Sequence, residues 1–171
     1  MNQDPLTLYK LIVLYMLNRV AFPLTKSQIG DFILEREYTN FLTLQSAIAE
    51  LTDAGLVDAK TIRNRTHLAI TEEGINTLHY FENRISGAIK EEISQYLKDN
   101  EFDLRNEVSI VANYYKSTAG GYEAELQALD KGVELINIRL NVPIEEIATS
   151  ICDNWQKKNQ EIYQYLTEKL F

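Results

Sequence analysis

The sequence predicts an α+β protein in two parts: an N-terminal helical unit that carries one β-hairpin, then a small C-terminal β-β-β-α unit. Three observations predict it. Apolar residues recur at helical spacing through most of residues 5–100. The period falls to two between residues 108 and 140, and a helical period returns from Pro143 to the end. The change of period divides the chain into residues 1–103, with an extended connecting helix, and residues 104–171.

Asp4 caps a first helix and Pro5 occupies its first turn, where the missing N–H costs nothing. Leu8, Leu11, Ile12, Tyr15 and Met16 stripe it over roughly four turns. Pro23 ends the connection that follows. Thr25-Lys26-Ser27-Gln28 reads as a capping box for a short second helix, with Ile29, Phe32 and Ile33 inward. Glu37-Tyr38-Thr39-Asn40 is a polar turn. Phe41, Leu44, Ile48 and Leu51 then share the buried face of a third helix over residues 41–54. Gly55 suits the left-handed position after that helix.

Val57–Ile62 and His67–Thr71 read as strands around a polar tip, Arg63-Asn64-Arg65-Thr66, so that residues 57–71 form a hairpin. Thr71 caps a fourth helix with Glu72 and Glu73 in its first turn, where the helix dipole favours acids. Ile75, Leu78, Phe81 and Ile85 stripe it. Ile89, Ile93 and Leu97 carry the pattern to about Asn100 after a bend at Ser86-Gly87.

In the second part Val108, Ile110, Ala112 and Tyr114 alternate with their neighbours. So do Tyr122, Ala124, Leu126 and Ala128, and so do Glu134, Ile136, Ile138 and Leu140. Turns at Ala119-Gly120-Gly121 and Asp130-Lys131-Gly132 make this an antiparallel meander. A long helix follows Pro143, striped by Ile144, Ile147, Ile151, Trp155, Ile162, Leu166 and Leu170. A helix over three strands is a two-layer unit.

The 171 residues carry a formal charge of −8, unevenly placed. Residues 1–70 hold seven basic and seven acidic residues, and residues 71–171 hold 10 and 18. The second part repels polyanions and the first tolerates them. One cysteine, Cys152, excludes an intrachain disulfide, and with two histidines, His67 and His79, no metal-ligand spacing exists. His67 reads as a strand-end surface residue, His79 as a helix surface residue, and Cys152 as a half-buried apolar one. The apolar run Leu11–Leu17 is too short to span a bilayer and lacks a basic leader, so the chain reads as cytoplasmic, with no membrane partner. No catalytic triad or phosphate loop is present, and Glu123 and Glu125 lie on one solvated strand face; neither an enzyme nor a cofactor is expected.

Helix, helix, turn, helix, hairpin, helix is the order of a winged helix, in which the third helix enters the major groove of double-stranded DNA and the hairpin lies over backbone or minor groove. Arg63 and Arg65 suit phosphate oxygens, with Lys26 and Lys60 as further cations. Thr39, Asn40, Asn64 and Thr66 add hydrogen-bonding groups. Thr43, Gln45 and Ser46, exposed with Ala49 and Glu50, are the base-reading candidates. The third helix has no Lys or Arg and carries Glu50 and Asp53, so about four cations per subunit carry the phosphate term and a homodimer is expected to double them.

Leu51-x-x-x-Gly55-Leu56-Val57, a hairpin, and Leu68-x-Ile70-Thr71-x-x-Gly74 resemble the signature of PadR-like and MarR-like winged-helix regulators over residues 5–85. The whole chain, tail included, resembles a bacterial winged-helix family known as a domain of unknown function. The resemblance implies a dimeric transcriptional regulator and implies no effector. Two other readings stay open: a winged helix recruited for protein–protein contact, and a tail that senses a small-molecule effector. Trp155 with Tyr114, Tyr115, Tyr122, Tyr163 and Tyr165 would line the effector pocket; packing is the favoured role for these aromatics.

Overall fold

A computed structural model describes residues 4–130 and 132–171. They form mixed helical and strand structure with two three-stranded antiparallel sheets. The chain divides into two compact units. One is drawn from the chain up to Thr61 and from Arg65–Arg105, the other from Ile62–Asn64 and from Asn106 onward.

In the first unit the order is α1 (Pro5–Asn18), β1 (Leu24–Thr25), α2 (Lys26–Glu35), α3 (Phe41–Asp53), β2 (Val57–Ile62), β3 (Arg65–Ile70), α4 (Glu72–Phe81), a single 3-10 turn at Glu82–Arg84, and α5 (Gly87–Ser109). Seven consecutive residues of α1, Leu11–Leu17, are buried. A helix apolar on every side belongs at the centre of a core, and Leu24, Phe32, Ile48, Leu51, Leu68 and Leu78 are buried in the same cluster.

The helix starts follow from their caps. Asp4 accepts from Leu6 N–H and from the Thr7 hydroxyl. Thr25 and Gln28 form a complete capping box, at 3.1 and 2.9 Å. The Gln28 amide also donates to the Leu104 carbonyl at 3.3 Å. Asn40 caps α3 and Thr71 caps α4.

The second unit is a meander of β4 (Ile110–Lys116), β5 (Tyr122–Asp130) and β6 (Val133–Val142), in that order, followed by α6 (Glu145–Leu170). The register sets Ala112 opposite Leu126 and Leu126 opposite Ile138. These side chains share one face, and Cys152 and Trp155 of α6 close over it. The Trp155 indole N–H donates to the Gln127 carbonyl at 3.1 Å, so its polar edge is satisfied within the core. The opposite face is polar: the Tyr115 hydroxyl donates to Glu125 at 3.1 Å, and Arg139 lies 3.3 Å from Glu125.

Several boundaries and exposures differ from the sequence reading. α5 runs to Ser109, past Asn100, and β4 begins at Ile110 rather than Val108. Residues 88–109 contain no Gly or Pro to stop a helix, and the Glu101–Arg105 pair at i, i+4 supports its last turns. Phe41, assigned to the buried stripe of the third helix, is 60% exposed because it sits in the first turn, ahead of the residues that reach the core. His67 is buried rather than superficial, since β3 is the central strand and its register places His67 against Thr25. At the ends of the α6 stripe Ile144, Ile147 and Leu170 are exposed, beyond the sheet face that covers Trp155. Lys131 of the second tail turn lies outside the described residues. Among the described residues, no helix is long and apolar enough to cross a membrane.

Candidate nucleic-acid interface

The candidate surface is built from α2, α3 and the β2–β3 hairpin. Leu44, Ala47, Ile48 and Leu51 fix α3 against the core. Ser46, Ala49 and Glu50 are left exposed, while Thr43 and Gln45 are half-buried. The Asn40 side-chain carbonyl accepts from Thr43 N–H at 2.9 Å, and the Ser46 hydroxyl donates to the Leu42 carbonyl at 3.1 Å. Both groups therefore serve the helix itself as well as facing outward. Glu50 is ion-paired with Lys10 of α1, which neutralises the carboxylate that weighs against an anionic partner. Thr39 and Lys26 are half-buried, Lys26 as the first residue of α2.

Phe41 and Leu42 are the feature the sequence reading missed. They are 60% and 77% exposed, side by side at the start of α3. The available signal was positional: both directly follow the cap, where a helix projects before its stripe meets the core.

At the hairpin, Arg63 (φ 45°) and Asn64 (φ 66°) are both left-handed. Two such residues between paired strands make a two-residue turn whose twist matches the ladder. Asn tolerates that conformation; an arginine in it costs about 1–2 kcal/mol. The Arg63 guanidinium donates to Asp153 at 3.2 Å and lies 5.8 Å from the Tyr114 ring centroid. Asn64, Arg65 and Lys60 are exposed and Thr66 is half-buried. The Thr61 and Thr66 hydroxyls face each other at 3.5 Å across the ladder. β2 is an edge strand of its sheet, and an exposed lysine on it discourages pairing with another chain.

The hairpin is tied to its flanking helices at one point. Gly55 (φ 73°) ends α3 in left-handed backbone. The Thr71 hydroxyl donates to the Gly55 carbonyl at 2.7 Å and accepts from Gly74 N–H at 3.1 Å. Thr71 N–H donates to the Leu56 carbonyl at 3.1 Å. A Cβ on Gly74 would lie 2.2 Å from that same Leu56 oxygen, so only glycine fits there.

The tail aromatics take different positions. Trp155 is in the core, Tyr114 stacks edge-on with Tyr122 at 6.3 Å, and Tyr115 faces the other side of the sheet. Tyr165 is exposed along a shallow cleft on α6, beside Ile162 and Leu166. Cys152 is fully buried, which pushes its thiol pKa up; the Arg63 charge opposes that shift and Asp153 adds to it. Among the described residues, no group of three or more His, Cys, Asp or Glu is placed to hold a metal ion.

Comparison with curated proteins and with solved structures gave no match. A family model described as a domain of unknown function, DUF4364, matches residues 9–170, across both units. The chain belongs to the DUF4364 family.

Proposed function

We propose that this protein is a cytoplasmic, homodimeric winged-helix transcriptional regulator that binds double-stranded DNA. In this reading α3 lies in the major groove and the β2–β3 hairpin is the wing. The likeness of the Leu51–Gly74 signature to PadR-like and MarR-like regulators supports it. So does the neutralisation of Glu50 by Lys10, which removes one repulsive charge from α3.

The observation that carries the reading is the arginine at the hairpin tip. Glycine, asparagine or aspartate suits a left-handed turn position, yet position 63 holds an arginine at φ 45°. Strained residues kept against their backbone preference cluster at functional sites. Lys60, Arg63 and Arg65 gather three cations at the hairpin of a chain whose charge is −8. A mobility-shift assay on promoter fragments at low salt tests the reading. Wild type is expected to shift a subset of fragments, and Arg63→Ala/Arg65→Ala to lose that shift. An unchanged shift in the double variant removes the wing from the account.

A second reading rests on Phe41 and Leu42. Two adjacent exposed apolar side chains at the start of α3, on a helix without Lys or Arg, favour a protein partner. Capture of one stoichiometric protein partner, with no DNA binding at low salt, selects it.

A further inference from the structure

We propose that a cleft between the end of α1 and one face of α5 binds a small organic anion, with a phosphate or carboxylate head and a short apolar body. The inference is independent of the DNA-binding reading. The cleft encloses about 310 Å³, within the first compact unit. That volume is at the lower end of small-molecule sites.

Its charge is the first argument. Ser94, Lys98, Glu101 and Arg105 follow one another at spacings of four, three and four, which puts them on one stripe of α5. Arg19 reaches the cleft from the end of α1. Three cations thus line a single cavity in an acidic chain. Glu101, the one acid lining it among the described residues, is paired with Arg105 at 3.3 Å. The remaining charge is a net positive two, which a phosphate dianion balances and a carboxylate halves.

The apolar lining is the second argument. The Arg105 guanidinium lies 5.7 Å from the Phe22 ring centroid and is held over it. Arg19 lies 5.9 Å from the Tyr15 centroid. Leu97, which is buried, and Val20 and Phe22, which are half-buried, contribute apolar lining. Arginines braced on rings lose less freedom when they fork a planar or tetrahedral anion. The Ser94 hydroxyl supplies a further donor. A duplex backbone needs no apolar lining, so the cleft favours a ligand with a body to bury.

Calorimetric titration of the full chain at low salt tests the proposal with three probes: phenyl phosphate, inorganic phosphate and benzoate. Phenyl phosphate is expected to saturate one site per chain. Lys98→Ala, a change at an exposed helix position, is expected to weaken it severalfold, and Arg19→Ala/Lys98→Ala by about tenfold or more. Lys158→Ala on α6 is expected to leave it unchanged. Inorganic phosphate binding as tightly as phenyl phosphate overturns the apolar body and with it the proposal; tighter benzoate binding supports it and names a carboxylate. Saturation by none of the three, or equal affinity in wild type and both cleft variants, overturns it. Loss of duplex DNA affinity in the double variant with no anion binding also overturns it, and assigns the cations to the DNA backbone.

Discussion

The hydroxyl of Thr71 donates to the carbonyl of Gly55 at 2.7 Å while it accepts from the backbone at the start of α4. One side chain therefore closes the end of α3 and opens α4, and the hairpin between them is held at its base. Thr71→Val keeps the shape and removes both bonds. It is expected to cost about 0.5–2 kcal/mol, the usual range for a lost cap. Gly74→Ala is expected to cost about 1–3 kcal/mol or more, because its Cβ would meet a backbone oxygen that has no rotamer to escape by. Urea unfolding of both variants checks the pair; an alanine at position 74 with wild-type stability contradicts the packing.

Alkaline stability is expected to depend on Tyr38. Burial, and then its hydrogen bond to Glu92, push the Tyr38 pKa up to about 12 from 10.0. The folded state therefore holds the proton more tightly than the unfolded chain. The stabilisation is complete below pH 10 and is lost as pH rises through about 12. Tyr38→Phe removes the titrating group, so its stability is expected to fall less steeply across that window. Denaturation midpoints measured between those two pH values give the comparison, and parallel curves contradict it.

The legibility of the chain was uneven, for physical reasons. Caps and glycines are local chemistry, so Asp4, the Thr25–Gln28 box, Gly55 and Thr71 stand in the structure where a reading of neighbouring residues puts them. The tail meander was equally readable, because a period of two over three segments admits few alternatives. Exposure was less readable. Phe41 fits the spacing of a buried stripe, and only the position of α3 against the core decides that its first turn projects. His67 lies next to a polar tip, yet the β1–β3 pairing, which joins residues far apart in sequence, buries it. The Lys10–Glu50 and Arg63–Asp153 pairs are contacts across 40 and 90 positions, beyond any window of sequence.

Asp153 is expected to compete with an anionic partner for Arg63. The pair is partly exposed, with side chains 26% and 57% accessible, so its strength is modest and falls with salt. Asp153→Asn is expected to raise duplex affinity severalfold at low salt and hardly at all at high salt. Fluorescence anisotropy on one duplex at two salt concentrations reads this out; lower affinity in the variant contradicts it.

Cys152 is expected to be inert in the folded protein. Its side chain is fully buried and burial raises its pKa, so little thiolate is accessible. Reaction with a disulfide reagent is expected to proceed at the rate of opening of the β4–β6 and α6 unit, and to accelerate with urea. Immediate stoichiometric labelling in buffer contradicts the packing around Trp155.

On the proposed function, the hairpin of this DUF4364 protein neutralises DNA phosphates, and the salt dependence of duplex binding measures that directly. The logarithm of the affinity is expected to fall linearly with the logarithm of salt concentration. The slope should become shallower by about one for each phosphate contact removed in Lys60→Ala and Arg65→Ala. A duplex affinity whose slope is the same in wild type and in both variants, or no duplex binding at the lowest salt, contradicts the claim.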